Sequence, residues 1–284
     1  MFNCKKNIVD DINSVLQANG ISEKIDINDI SVSNVVTDGY YAVHCLSDLI
    51  MSNLWPSIKS EEVYHFTSKV AAESMINSQI FRFYNIMKRI DDGEIYTFCE
   101  NHSLSGYLEK DDNGEMLYKS LIAPKIFYSS FSETTLTQVQ EKLLWDKFAK
   151  KGVRLKFRIT TRKNKTDFRK MVYEYKEGEP IKILKELSRA IKKYKRNFIL
   201  ARISTLCAFF LSKHFDMECE CRAVYNKWHH DRGLCSNIDK DGHKFVEIPI
   251  NRENDTGYFI ELQEICSDEK LEISDKYKVL KRTN

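Results

Sequence analysis

The chain has 284 residues, 42% of them hydrophobic and 30% charged, which is ordinary globular usage and enough length to bury a sizeable core. Only 10 glycines and 4 prolines occur, which excludes collagen-like and low-complexity classes. The net charge of +3 conceals a segregation, because residues 147–202 hold 20 Lys or Arg against 5 Asp or Glu while the remainder holds 24 against 36. Such segregation is the footprint of a surface that meets phosphate or an acidic partner, and a solvated helix face with basic loops is the plainer alternative.

The first residues, MFNCKKNIVDDINSVL, lack the apolar core and small-residue cleavage site of a signal peptide. The longest apolar-rich run, 198–211, contains Arg202 and is shorter than a bilayer span, so a cytoplasmic protein without a membrane partner is expected. The eight cysteines are scattered and form no C-x-x-C pair, as suits reduced structural thiols. A metal set at His229, His230, Asp231 and Cys235 lacks a second ligand pair, and adjacent histidines project differently, so no metal is expected.

Residues 1–58 read as a helical N-terminal lobe. Ile8, Ile12, Val15 and Leu16 recur at helical spacing before Gly20, and 41–54 forms a second apolar-faced helix ended by Trp55-Pro56. The main domain, 59–284, opens with a strand over 62–67, and Ser68 caps a helix to about residue 77. Residues 79–84 resume extended character. The polar, turn-rich 86–118 reads as a long surface excursion. A strand over 122–131, a helix over 136–149 ended by Gly152, and a half-exposed strand over 153–160 follow. After a short strand at 171–175, 181–215 reads as one long helix, basic first and apolar later. Strands at 217–225, 244–250 and 257–265 close the chain, an α+β order rather than regular βαβ winding.

Three stretches carry groups suited to chemistry. In Tyr64-His65-Phe66-Thr67, His65 and Thr67 share one strand face, and the aromatic pair is expected to enter the core from the other. In 127–133, Tyr128, Ser130 and Ser132 alternate against Phe127, Ser129 and Phe131. In 217–224, an extended chain puts Glu218, Glu220 and Arg222 on one face, with two carboxylates about 7 Å apart. Each has a plain structural alternative: a satisfied strand histidine, a strand end, and a charged face with Arg222 as counter-ion.

Taken in order, His-x-Thr, Ser-x-Ser and Glu-x-Glu on three strands resemble the ADP-ribosyltransferase superfamily. A closer likeness runs through Tyr64 to Ser68, Ser130 to Ser132, Trp145 to Ala149, Gly152 to Phe157, Val172-Tyr173 and Lys213 to Arg222. These segments resemble the bacterial domain-of-unknown-function family 2971, although Phe83-Tyr84-Asn85-Ile86 stands where that family carries Asn-Asp-Pro. The superfamily likeness implies a split β-sandwich with flanking helices and NAD as substrate. It implies His65 on the adenosine ribose, Thr67 anchoring the dinucleotide, Tyr128 or Tyr84 stacking on nicotinamide, and Ser130 supporting the site. Glu220 would bind the ribose 2′-hydroxyl and Glu218 would engage the acceptor nucleophile. All of this requires His65 and Glu220 to converge on one crevice.

The basic segment suggests a nucleic-acid acceptor, RNA before DNA, held by Arg154, Lys156, Arg158, Arg162, Lys163, Lys165, Lys192, Lys193 and Arg196. By analogy with such enzymes, the chain would be a toxin or phage-defence effector, modifying nucleic acid or protein and restrained by an antitoxin or chaperone partner. The rivals are an NAD glycohydrolase, a non-catalytic nucleic-acid-binding protein, and an interaction module whose glutamates merely pair with Arg222.

Overall fold

The computed structural model describes residues 2–38, 46–87, 94–150, 152–162, 166–176, 179–200, 202–227 and 236–282 of a mixed α+β chain with open sheets. In chain order, α1 (Phe2–Ala18), β1 (Ile30–Val32), β2 (Val35–Asp38) and α2 (Leu46–Leu54) come first. They are followed by β3 (Ser60–Thr67), α3 (Lys69–Ser78), β4 (Ile80–Asn85) and α4 (Glu94–Asn101). Next are β5 (Ile126–Glu133), α5 (Gln138–Leu144), β6 (Val153–Thr161), β7 (Thr166–Lys170) and β8 (Val172–Tyr173). Then α6 (Lys182–Lys192), β9 (Asn197–Ile199), α7 (Ile203–Ala208), β10 (Phe210–Leu211) and β11 (Glu220–Asn226) lead on. The chain closes with β12 (Asn237–Ile238), β13 (Lys244–Pro249), β14 (Tyr258–Ser267) and β15 (Val279–Leu280). Among the described residues, no helix is long and apolar enough to cross a membrane.

Two units share the chain, each built from three separated segments. Residues 1–56, 89–125 and 172–213 form the first, and 57–88, 126–171 and 214–284 form the second. The segment expected as an N-terminal lobe is therefore one of three that build the first unit, and it holds strands as well as helices.

In the first unit, α1 buries Ile8, Val9, Ile12 and Leu16, and α6 buries Ile183, Leu184, Leu187 and Ile191 where the two helices pack. The expected helix over 181–215 is broken. Lys195 turns the backbone at φ 55°, and Asn197–Ile199 leaves as a strand parallel to β2. Aromatic and β-branched side chains at 198 and 199 can satisfy a helix or a strand, and the open edge of β2 decides for the strand. The stretch 86–118 is not a surface excursion either. It supplies α4, and Ile95, Phe98, Leu104 and Tyr107 are buried. The turn at 91–93 and residues 41–45 of the expected second helix lie outside the described residues.

The second unit holds a ten-stranded sheet ordered β12-β13-β4-β5-β3-β6-β14-β15, with β11 beside β5 and β7 beside β11. Strand β5 is the node. One edge pairs with β11 from Ile126 to Ser132. The other is shared, with Phe127 and Tyr128 on β4 but Ser132 and Glu133 on β3, so the sheet forks. The two branches curl together around one core. Phe81 of β4 meets Phe157 of β6 at 5.4 Å between ring centroids, and Phe83 meets Tyr258 of β14 at 5.3 Å. A second cluster on the other side of β3 packs Phe66 against Leu144, Trp145 and Cys266. There the chain re-enters the sheet at Gly152, where a Cβ would lie 2.2 Å from the Thr67 carbonyl oxygen.

Candidate functional site

Residues directly opposite in neighbouring strands project from the same side of a sheet, and successive residues alternate. Tyr64, Ser132 and Glu220 are aligned across β3, β5 and β11. Ser130, Arg222 and Arg169 are aligned across β5, β11 and β7, and Tyr84, Tyr128, Val224 and Asp167 form the next row. One face thus gathers the hydroxyls and charges. The other face of the same strands carries Val63, Phe81, Phe131, Cys221 and Ala223, which belong to the core.

On the polar face the charges are buried. Glu220 is 3% exposed and Arg222 0%. Arg222 Nε donates to Glu220 Oε1 at 2.7 Å, and its guanidinium carbon lies 4.6 Å from the Tyr128 ring centroid. Opposite on β7, Arg169 donates through Nη2 and Nε to Asp167 Oδ1 at 2.7 and 3.1 Å. Two acid–base pairs, each spaced by two residues on a strand, therefore lie side by side. An i, i+2 spacing puts both partners on one side about 7 Å apart, close enough for a long arginine to fold back.

His65 stands on the opposite, apolar face. Its ring packs on Phe81 and Phe131 at 5.1 and 5.6 Å between centroids. Neither of the two ladders at the fork reaches 129–131 among the described residues, and His65 Nδ1 bonds the Ser130 carbonyl there at 3.1 Å. A carbonyl only accepts, so Nδ1 carries the proton. Burial lowers the imidazole pKa from 6.5 to about 4 against the opposing effect of that bond, so the ring is neutral at pH 7. His65 supplies a hydrogen bond that the forked strand leaves vacant.

The expected site is thus divided. Tyr84, Tyr128, Ser130 and Glu220 share a face, whereas His65 and Thr67 lie on the other, and the single crevice between His65 and Glu220 is not formed. The aromatic residues of β3 were expected in the core with the histidine outside; both sides of β3 are packed, and the larger core took the histidine side. Glu218 is separated as well. It belongs to a short 3₁₀ segment, Lys213–Glu218, and Cys219 turns the chain at φ 43° before β11 begins. Glu218 forms a salt bridge with Lys147 at 2.5 Å and is not beside Glu220 on a strand.

The basic residues also sort. Lys156 and Arg158 share Glu62 at 2.6 and 2.7 Å, and together they hold its carboxyl below the usual range. Arg154 reaches Glu141 and Glu264, and Arg162 reaches Glu253. Arg154, Lys156 and Arg158 of β6 meet Glu62 and Glu264 of the flanking strands, because β6 lies between β3 and β14, with Glu141 of α5 added. Lys192, Lys193 and Arg196 belong to the other unit. Lys163, Lys165 and the 229–235 set lie outside the described residues.

Sequence reasoning missed three members of the polar face. Tyr64 lies 4.2 Å beneath the Arg154 guanidinium, and Asp167 and Arg169 repeat the Glu220-x-Arg222 pattern. That repeated acid-x-Arg spacing was the available signal. Ligand atoms of Asp239, Asp241 and His243 lie within 4.8 Å of one another at the β12–β13 turn. Asp239 Oδ1 there accepts the backbone N–H groups of Asp241 and His243, so turn geometry accounts for the cluster. No protein-family model, no curated protein and no solved structure matches the chain.

Proposed function

We propose that the polar face around Glu220 is the functional face and serves an NAD-dependent ADP-ribosyl transfer, with RNA favoured over DNA or protein as acceptor. The observation that carries this reading is the buried Glu220–Arg222 pair beside Ser130, Ser132 and Tyr128. A buried ion pair is commonly no more stabilising than apolar packing of the same volume, so its presence asks for a use. The fork at β5 and the curling of its branches agree with a split β-sandwich.

In this reading Glu220 accepts the 2′-hydroxyl of the nicotinamide ribose, and Arg222 keeps the carboxylate aimed. Breaking the C1′–N bond sends the electron pair to nicotinamide and leaves positive charge on the ribose. A fixed carboxylate interacts more strongly with that charge than with the ground state, which lowers the barrier. The acceptor oxygen or nitrogen then bonds C1′ and releases its proton to solvent. Tyr84 and Tyr128 are the aromatic surfaces for nicotinamide. His65 and Thr67 have no part in it, and neither does Glu218.

A second reading is favoured by the 3% exposure of Glu220: the pair braces the sheet and touches no substrate. Incubating the protein with NAD labelled in its adenylate, with and without RNA, separates these outcomes. Label on RNA or protein supports transfer, and nicotinamide release alone identifies a hydrolase. Glu220→Gln, assayed below its melting temperature, is expected to lose about 10²–10³ in rate. No turnover by the folded wild type, with a variant altered in stability only, leaves the brace.

A further inference from the structure

We propose that the exposed side of α6 is the docking surface for a nucleic-acid phosphate backbone. This deepens the acceptor half of the reading above, and it rests on observations in the first unit alone. Lys182, Lys185, Arg189 and Lys192 follow one another at intervals of three, four and three residues. At about 100° per residue, these four and Lys193 fall within roughly 100° of arc along about 15 Å of helix.

The opposite side of the helix anchors it. Ile183, Leu184, Leu187, Ala190 and Ile191 are buried, so the cations are presented from a fixed rod. Counter-charge is sparse. Glu186 is the one acid of the helix and lies 3.9 Å from Lys182, while Asp11 of α1 approaches Lys193 at 3.4 Å. Among the described residues, Lys185, Arg189 and Lys192 have no ion-pair partner. On β6, by contrast, Arg154, Lys156 and Arg158 each meet a carboxylate, as does Arg162 just after the strand. The basic excess of residues 147–202 is therefore unneutralised on α6, not on β6.

A row of uncompensated cations gains most from an equally extended row of anions, through release of condensed counterions. An anionic membrane is the other extended polyanion. A helix that lies on a bilayer must offer it an apolar side. The apolar side of α6 is spent inside the unit, and no large exposed hydrophobic residue lies on this helix. The phosphate chain of a nucleic acid fits; a lipid surface does not.

The test uses no NAD, so its result is independent of catalysis at Glu220. Anisotropy of a fluorescein-labelled single-stranded RNA of about 20 nucleotides is measured between about 50 and 200 mM salt. Wild type is expected to bind and to weaken on the order of 10²-fold across that range. The triple variant Lys185→Gln, Arg189→Gln, Lys192→Gln changes only exposed or half-exposed positions. It is expected to bind about tenfold more weakly at the lower salt, with a log–log salt slope shallower by about 2. The triple variant Lys156→Gln, Arg158→Gln, Arg162→Gln removes the same formal charge from β6 and the residue that follows it, and is expected to track wild type. The inference is overturned by undetectable wild-type binding, by equal losses in both triples, or by no loss in the α6 triple. Binding to phosphatidylserine vesicles without binding to RNA also overturns it. Circular dichroism melting of all three proteins shows that each compared species is folded.

Discussion

Glu220 and Arg222 are two residues apart, on the same side of β11, and joined at 2.7 Å with almost no exposure. Deleting one partner leaves the other charge buried, which typically costs about 3–5 kcal/mol, whereas replacing both with apolar groups is often neutral. The Glu220→Met, Arg222→Met double variant is therefore expected to be clearly more stable than the sum of its single variants implies. Urea unfolding of the four proteins checks this. Costs additive within about 0.5 kcal/mol would show that the two groups do not depend on each other. The pairing itself was legible, because the i, i+2 spacing on a strand brings an acid and an arginine to one side. The side chosen by His65 was not. Parity states which residues of β3 share a side, but Val63 with His65 and Tyr64 with Phe66 both have apolar neighbours to join.

At the scale of elements, punctuation was read more securely than extent. Ser68, read as a cap, accepts the Ala71 N–H and starts α3, whereas the capping box of Thr137 with Gln140 that starts α5 was not singled out. Gly152 marks the return into β6, where a Cβ would also lie 2.9 Å from Ser68 Cα. Backbone on both sides cannot yield cheaply, so Gly152→Ala is expected to destabilise the protein by about 1–3 kcal/mol. A shift of the urea midpoint at unchanged slope is the readout, and a neutral variant would mean that the chain relaxes there freely. The run over 181–215 shows the opposite case. Its spacing fits a helix throughout, yet β9 pairs with β2 and β10 with β8, and neither partner is near in sequence. Similarly, Glu218 and Glu220 alternate correctly for a strand, but the strand begins at Glu220.

Across the molecule, among the described residues, each unit holds a histidine that burial keeps neutral. In the first unit, His102 is fully buried, with Nδ1 donating to the Phe98 carbonyl at 2.7 Å and Nε2 accepting the Ile181 N–H at 2.7 Å. It thereby satisfies the N–H that precedes α6. Burial lowers its pKa to about 4, the same value as for His65. Both folded values lie below the unfolded value near 6.5, so the unfolded chain binds more protons between about pH 4 and 6.5. The stability contributed by these neutral rings is present above pH 6.5 and is lost as pH falls through that window. Protonation of His102 would also set a donor against the Ile181 N–H. On the order of 3 kcal/mol is expected to be lost for His102 alone by about pH 4. Urea unfolding at several pH values, repeated for His102→Gln with a shallower dependence expected, measures it. A wild-type stability flat from pH 7 to 4.5 would contradict the assignment.

By itself, the sequence determined the α+β class, the ends of most second-unit elements, the alternation along each strand and the clustering of basic charge in one segment. These are local properties, set by side-chain period, caps and turn residues within a dozen positions. Only the tertiary structure decided that the chain alternates between two units, that β5 forks, and that His65 and Glu220 take opposite sides of one sheet. It also decided that β6 loses its free charge to neighbouring strands while α6 keeps it. Each of these depends on which distant segment supplies the partner, and an alternating pattern is equally satisfied by either side of a sheet until that partner arrives.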